Sequence, residues 1–318
     1  MKKTKLYTLL SAQSDLFAIS ITAIISWAFT FLALFIFKEY AWTLFIWLPF
    51  VLGALSTILA GYYKAVPRMK LYNISMLTLV VYSAGILAFA WDGLICLLMA
   101  FPLGWFFTWA GHWAGYKILQ SRKGNASAAV LLLLVSVPSL MAFENNSLEK
   151  DALRSVKTSL EIAASPQTVW QHVIAFPQLD EPDEFIFKTG IAYPVNATIN
   201  GHGVGAVRYC NFSTGSFVEP INVWDEPRLL GFTVAAQPET MRELSFYPIK
   251  PTHLHGYWVS KKGEFKLTPL ANGHTLVEGT TWYVNKIKPD FYWTIWSDFI
   301  VHKIHQRVLN HIKTQAEK

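Results

Sequence analysis

The chain has 318 residues, a formal net charge of +6 and a mean hydropathy of +0.30. Residues 1–143 hold ten Lys/Arg against three acids (Asp15, Glu39, Asp92), whereas residues 144–318 hold seventeen against eighteen. The positive excess therefore sits in an apolar half, where it reads as membrane-topology signal, and the nearly neutral second half argues against nucleic acid or another polyanion as partner.

Residues 1–146 read as a membrane domain of five helices. Leu16–Phe37 is an uncharged run of about the 20 residues a spanning helix needs. It is too long for the apolar core of a cleaved signal peptide and has no small-residue cleavage site. Further spans are predicted at 41–62, 71–91, 94–116 and 126–142. The fifth is short and carries Pro138, so it either crosses or re-enters. Basic residues lie before the first span (Lys2, Lys3, Lys5), between the second and third (Lys64, Arg68, Lys70) and between the fourth and fifth (Lys117, Arg122, Lys123). The other loops hold Lys38, Glu39 and Asp92. Positive charge marks the cytoplasmic side. The N-terminus is then inside, and five spans deliver the second half to the periplasm of a bacterial inner membrane. A re-entrant fifth segment would leave it in the cytoplasm. In the fourth span, Gly111 and Gly115 have the spacing that admits a close helix, which allows a homo-oligomer. His112 beside them is an ionisable group in an apolar span. It is either functional or bonded to a neighbouring helix.

After the polar hinge Glu144-Asn145-Asn146-Ser147, residues 147–318 read as a water-facing domain. Ser155–Ile162 alternates with period two, as a half-buried strand does. Ser165-Pro166-Gln167-Thr168 is a helix start that leads to a stop at Pro177. An acidic loop follows. Strands are predicted at about 188–199, 204–213, 216–224, 228–236, 255–269 and 274–286, separated by Gly, Pro, Asn and Asp turns. Pro289-Asp290 opens a helix to about Gln315. The expected layout is α+β: an antiparallel sheet with a long C-terminal helix on it.

Several stretches carry a family resemblance. They are Ile162–Trp170, where a strand runs into a Pro-x-x-Val-Trp helix; Gly203–Gly205 leading to Arg208–Phe212; Gly215–Glu219; Trp224–Leu230; Gly263–Leu267; and Gly279–Tyr283, followed by the terminal helix. Over about 155–316 the chain resembles the START-like, or SRPBCC, superfamily, which includes polyketide cyclase/dehydrase and lipid-transfer proteins. The resemblance implies a helix-grip fold, with a curved sheet holding the long helix and a mostly apolar cavity between them. No resemblance covers the membrane half.

On a helical wheel of about 100° per residue, Trp296, Ile300, Ile304, Val308, Val301 and Ile312 form one arc expected to face the sheet. Asp298, His302 and His305 gather at its edge. They are candidates for acid–base work or metal ligation, against the plainer reading of an amphipathic flank with an Asp–His hydrogen bond. His253-x-His255 is a second possible ligand source. Cys210 reads as a packed thiol. Arg208 and Glu219 lie on adjacent predicted strands and can pair across the ladder. If they face the cavity they supply the convergent polar groups of a ligand site. The candidate lining is completed by Cys210, Phe212, Phe232, Thr280, Trp282, Trp296, Ile300 and Ile304. No metal site and no cofactor is expected. The function read from the sequence is a membrane-anchored domain that binds or presents a hydrophobic ligand, a lipid or isoprenoid. The alternatives are a cyclase/dehydratase-type enzyme on a hydrophobic substrate, and an assembly or sensory module without a ligand.

Overall fold

A computed structural model describes residues 2–38, 40–62, 64–121, 123–146, 152–242 and 255–318. The chain divides into two compact units, one built around Met1–Glu149, the other around Lys150–Leu244, Leu254–Lys286 and Asp290–Lys318.

The first unit is helical: α1 (Lys2–Phe31) continued by a π-helical stretch (Leu32–Phe37), a second π-helical stretch (Thr43–Trp47) leading into α2 (Leu48–Gly61), α3 (Arg68–Ala88), α4 (Leu94–Gln120) and α5 (Lys123–Asn145). By length and composition, five segments are apolar enough to cross a membrane: Ser14–Phe37, Thr43–Gly61, Arg68–Ala88, Leu94–Gln120 and Asn125–Asn145. The fifth is longer than the apolar run suggests, because the helix passes through Pro138 and takes in the flanking polar residues. Its 21 residues reach about 31 Å, the thickness of a bilayer core.

Helix α2 is buried on nearly every side. Its backbone touches that of α4: a Cβ on Gly111 would lie 1.9 Å from the Phe50 carbonyl oxygen, one on Gly53 2.1 Å from that of Thr108, and one on Gly115 2.7 Å from that of Ala54. Gly111 and Gly115 are thus used inside the chain, against α2. This corrects the expectation of a homo-oligomer through them, since the spacing announces a close helix without saying which one. His112 is buried and bonds through Nδ1 to the Thr57 hydroxyl at 2.9 Å, and Thr57 bonds to Ser75 at 2.8 Å. His112 thus makes the bond to a neighbouring helix that the sequence offered as one of its readings.

The second unit runs β1 (Leu153–Ile162), α6 (Pro166–Ile174), α7 (Phe185–Lys188), β2 (Pro194–Asn200), β3 (Val207–Phe212), β4 (Gly215–Asp225), β5 (Leu229–Thr233), β6 (Trp258–Pro269), β7 (Thr275–Asn285) and α8 (Asp290–Ala316). Ser165 caps α6, its hydroxyl accepting from the Thr168 amide at 3.3 Å, with Pro166 in the first turn. The strand expected from about 188 starts later, at Pro194, because the acidic loop first closes in the single turn of α7. All pairings are antiparallel, in the order β1-β7-β6-β5-β4-β3-β2.

Seven strands laid flat would put β1 and β2 about 29 Å apart. Yet α8 bonds to both edges: His302 and His305 reach Thr158 of β1, and Arg307 Nε donates to the Pro194 carbonyl of β2 at 3.3 Å. The sheet is therefore curled around the helix. A curled antiparallel sheet holding a long C-terminal helix is the helix-grip arrangement. Its core joins α6 to the inner face of the sheet and to the last turns of α8, through Ile162, Trp170, Val173, Leu230, Val277 and Ile312, each wholly buried.

Candidate functional site

Inner-face positions follow from strand parity. Along β7, Val277, Thr281 and Tyr283 face α8: Val277 lies in the core with Ile312, Tyr283 packs with Val301, and Thr281 bonds to His305. The alternate residues Thr280 and Trp282 therefore face outward, where Thr280 pairs with Lys157 and Lys262 sits 4.2 Å above the Trp282 ring. This corrects their assignment to the cavity. Trp282 is bulky and apolar, but Lys262 covers it from outside.

On α8 the buried stripe runs Thr294, Val301, Val308, Leu309 and Ile312. Asp298 and His305 lie on it, rather than at its edge. Trp296, Ile300 and Ile304 are only half-buried, since Trp296 and Ile300 lie more than a quarter-turn from the stripe's centre at about 100° per residue. The expected arc was centred too close to them.

Two polar stations are enclosed by this frame. The first is Arg208 with Glu219, which the register of β3 and β4 places opposite each other. Both side chains are buried and form a short ion pair. Arg208 Nε also donates to the Ile174 carbonyl at 3.2 Å. Three rings box the guanidinium: Phe176 at 5.6 Å, Phe232 at 5.7 Å and Phe265 at 5.6 Å. Gly263 makes one wall possible, because a Cβ there would lie 2.5 Å from the Phe232 ring. Burying two charges costs several kcal/mol per ion, recovered only through good geometry. Here the contact, the carbonyl bond and the three ring faces supply that geometry.

The electrostatics follow. Burial pushes the Glu219 carboxyl up, and Arg208 pulls it back only in part. Burial opposes charge on Arg208 too, but Glu219 and Cys210 together outweigh it and hold the guanidinium above its ordinary value. Cys210, on the same inner face, is buried, and burial pushes its thiol up to about 12. It is a packed thiol and not a nucleophile near neutral pH.

The second station is the seam of α8 with β1 and β7. Lys303 donates to Gln306 Oε1 at 3.1 Å, which turns the Gln306 amide nitrogen toward His302 Nε2 at 2.9 Å. His302 Nε2 then accepts, so its Nδ1–H donates to the Thr158 hydroxyl at 2.8 Å. Thr158 in turn donates to His305 Nδ1 at 3.1 Å, and His305 Nε2–H donates to the Thr281 hydroxyl at 2.8 Å. Each group donates once along the row and accepts once, which is what neutral imidazoles and hydroxyls allow. Burial, and then the neighbouring His302, lowers the His305 pKa to about 4. Asp298 belongs to neither imidazole: it accepts from the Tyr283 hydroxyl at 2.5 Å. The expected trio is thus split, Asp298 to Tyr283 and the two histidines to Thr158. Among the described residues, no three His, Cys, Asp or Glu are grouped to hold a metal ion. His253 lies outside the described residues. His255 is exposed and 3.6 Å from Glu239.

Of the remaining candidates, Phe232 lies in the box, and Phe212 meets Phe217 edge-on at 4.8 Å on the inner face. Phe212, Phe217 and Phe265 pack against the core yet stay half-buried, and Ile304 on α8 is half-buried too. Phe176, Phe265, Gly263, Thr158, Thr281 and Tyr283 are not among the site candidates read from the sequence, although Gly263, Phe265, Thr281 and Tyr283 lie in the stretches that carry the resemblance. For the β6 pair, the signal was available: Arg208 and Glu219 fix an inner face, and parity carried strand to strand from them reaches Gly263 and Phe265.

No protein-family model matches the chain, and no curated protein matches it. Among solved structures, the chain is similar to norcoclaurine synthase from Thalictrum flavum, at 15% identity over 52% of this chain and 95% of that one, with a TM-score of 0.34. It is also similar to the Zhui aromatase/cyclase from a Streptomyces species, at 14% identity over 52% and 94%, TM-score 0.34. A third similar structure is a protein from Nitrosospira multiformis, at 17% identity over 51% and 95%, TM-score 0.32.

Proposed function

We propose that this is a membrane-anchored helix-grip domain that holds a hydrophobic ligand, a lipid or isoprenoid, between its curled sheet and α8. The observation that carries the reading is the buried Arg208–Glu219 pair in its box of Phe176, Phe232 and Phe265. A buried ion pair is a poor way to stabilise a core. It is a good way to set one fixed polar feature in an apolar interior, which is what orients a hydrophobic ligand. The half-buried Phe212, Phe217, Phe265 and Ile304 form the apolar lining of the proposed site. We place the N-terminus in the cytoplasm and the helix-grip domain in the periplasm of a bacterial inner membrane, because the basic loops alternate and Asn125–Asn145 is long enough to cross.

Binding of a fluorescent fatty-acid analogue to the full-length protein in mild detergent tests the proposal. Gly279 gives a plug: a Cβ there meets Phe265 at an ordinary 3.5 Å, so a larger side chain fits the backbone but occupies the interior. Gly279→Val should weaken binding at least tenfold with little change in melting temperature. Equal binding by the wild type and the variant would overturn the proposal, as would no binding by the wild type. A reporter active only outside the cytoplasm should work when fused after Lys318 and fail when fused at Lys123. The reverse pattern would overturn the topology.

A second reading rests on the row from His302 to Thr281. A neutral His305 with one ring nitrogen on Thr281 suits acid–base work on a bound hydrophobic substrate, as in a cyclase or dehydratase. Turnover of the molecule that co-purifies with the protein, lost in His305→Gln while binding is retained, would favour it over simple holding.

A further inference from the structure

The membrane unit carries a feature that neither the fold nor the ligand reading uses. An open-sided groove of about 480 Å³ runs along α1, lined by Ile24, Trp27, Ala28, Phe31, Leu32, Phe89 and Trp91. That volume falls within the range of small-molecule sites. Ile24, Ala28 and Phe31 follow one another along one side of the helix, and from Ile24 to Phe31 the groove extends about 10 Å. Its hollow exists because Ala28 is small where its neighbours are large. The walls are almost wholly apolar.

The walls are also held in place. The Trp27 indole lies against α3 at Gly85, where a Cβ would come within 2.1 Å of the ring, and its Nε1–H donates to the Tyr82 carbonyl at 2.9 Å. Phe89 meets Trp27 edge-on at 5.3 Å, and Trp91 lies 5.0 Å from Phe89. Phe31 and Phe35 stack at 4.9 Å, each 6.0 Å from Trp91. The turn that presents Phe89 and Trp91 is fixed by the Trp91 amide donating to the Ile86 carbonyl at 3.1 Å and by Ala90 at a φ of 55°. A side chain rarely adopts that backbone region without such support.

We propose that this groove is a binding site for one acyl chain of a glycerophospholipid, with the headgroup at the Trp91 end. Three observations select the occupant. The lining on α1 belongs to a segment long and apolar enough to cross a membrane, so what reaches Ile24 and Phe31, 55% and 45% exposed, is bilayer hydrocarbon. The groove is elongated along a helix, which matches a linear chain, and no polar side chain lines it to hold a headgroup along its length. At its Trp91 end come Asp92 and the break after Phe37, where polar chain resumes and Trp is favoured at an interface. Rigid aromatic walls separate such a site from the ordinary lipid annulus, because a preformed groove loses no side-chain freedom on binding.

Native mass spectrometry of the full-length protein tests this. The protein in mild detergent is equilibrated with vesicles of a single phosphatidylglycerol, and the lipid retained at rising collision energy is counted. The wild type should keep one lipid per chain after loosely held lipid is stripped. Ala28→Trp, which fills the hollow, should reduce retention at least fivefold. Phe89→Ala, which removes an exposed wall without crowding the helices, should reduce it by a smaller factor. Undiminished retention in both variants would overturn the proposal, as would wild-type protein that sheds all lipid together, an annulus only. Gly279→Val, which blocks the proposed ligand site of the C-terminal unit, should keep the groove lipid, so the two readings fail separately.

Discussion

Both halves of the chain bury polar side chains, and they do it in opposite ways. Among the described residues of the apolar helical unit the buried polar groups are neutral: Thr57, Ser75 and His112 bond to one another while Gly53, Gly111 and Gly115 bring two backbones into contact. In the helix-grip unit the buried groups of β3 and β4 are a full ion pair, packed by rings rather than by glycines. On the proposed membrane placement, the difference follows from solvent. Lipid gives apolar helices no reason to leave it, so close packing and hydrogen bonds must hold them together. Water drives the apolar rings of the second unit inward, and that surplus tolerates a charged pair that packing alone would not select.

The largest expected effect breaks the pair on one side. Glu219→Ala leaves the Arg208 charge buried without its partner, and should destabilise the C-terminal unit by about 3–5 kcal/mol. Arg208→Met with Glu219→Met removes both charges and should recover most of that loss. In the apolar helical unit, Thr57→Val removes two neutral bonds, to Ser75 and His112, and should still cost no more than about 1–2 kcal/mol. Chemical unfolding of each variant measures the contrast, and equal costs for Glu219→Ala and Thr57→Val would erase it.

A second change attacks the glycine seam. Gly111→Val puts side-chain atoms where the Phe50 carbonyl oxygen lies, 1.9 Å from an ideal Cβ. Helices α2 and α4 must then part, and in detergent the variant should elute from gel filtration in earlier, broader peaks than the wild type. Gly263→Ala is the counterpart in the sheet. Its Cβ would meet the Phe232 ring at 2.5 Å, but a ring at the end of one side chain can turn where a backbone cannot. The expected cost is about 1–3 kcal/mol, typical of overpacking, with ligand-analogue binding weakened as Phe232 leaves the box.

How much of this was legible in the sequence varies with the kind of signal. The Arg208–Glu219 pairing follows from a two-residue turn, Ser213-Thr214, which sets the register of β3 on β4 once the strands are recognised. The five spans and the Ser165 cap are local patterns, so they survive folding. The misread positions each depended on a partner from elsewhere. Trp282 looks like core until Lys262 from the next strand is seen on its ring. Trp296 and Ile300 drew the expected face of α8 away from Asp298 and His305, because hydrophobicity alone cannot show that Tyr283, Thr158 and Thr281 wait opposite with hydroxyls. Gly111 and Gly115 promised a neighbour without naming it.

The smallest expected effect is a pH dependence of stability carried by the α8 seam, where the second unit buries neutral groups as the membrane unit does. His305 faces the Thr158 and Thr281 hydroxyls, the His302 imidazole and no carboxylate among its bonded partners. Its pKa falls from 6.5 to about 4 on folding. Between those values the unfolded chain binds a proton that the folded chain refuses, so stability rises with pH. The contribution is fully present above pH 6.5, declines as pH falls from there toward 4, and is gone below 4. Allowing for screening at a partly exposed site, the change from pH 7 to pH 5 is roughly 1–2 kcal/mol. That corresponds to a drop of roughly 2–8 °C in melting temperature for a unit of this size. The burial-lowered His311 acts in the same direction, so the readout is a difference between proteins. His305→Gln can keep a bond to each hydroxyl but cannot titrate. It should melt at nearly the wild-type temperature at pH 5 and show a flatter pH profile. If the two profiles stay parallel from pH 7 to pH 4.5, His305 is not held neutral by its burial, and the ordered row from Lys303 to Thr281 loses its physical basis.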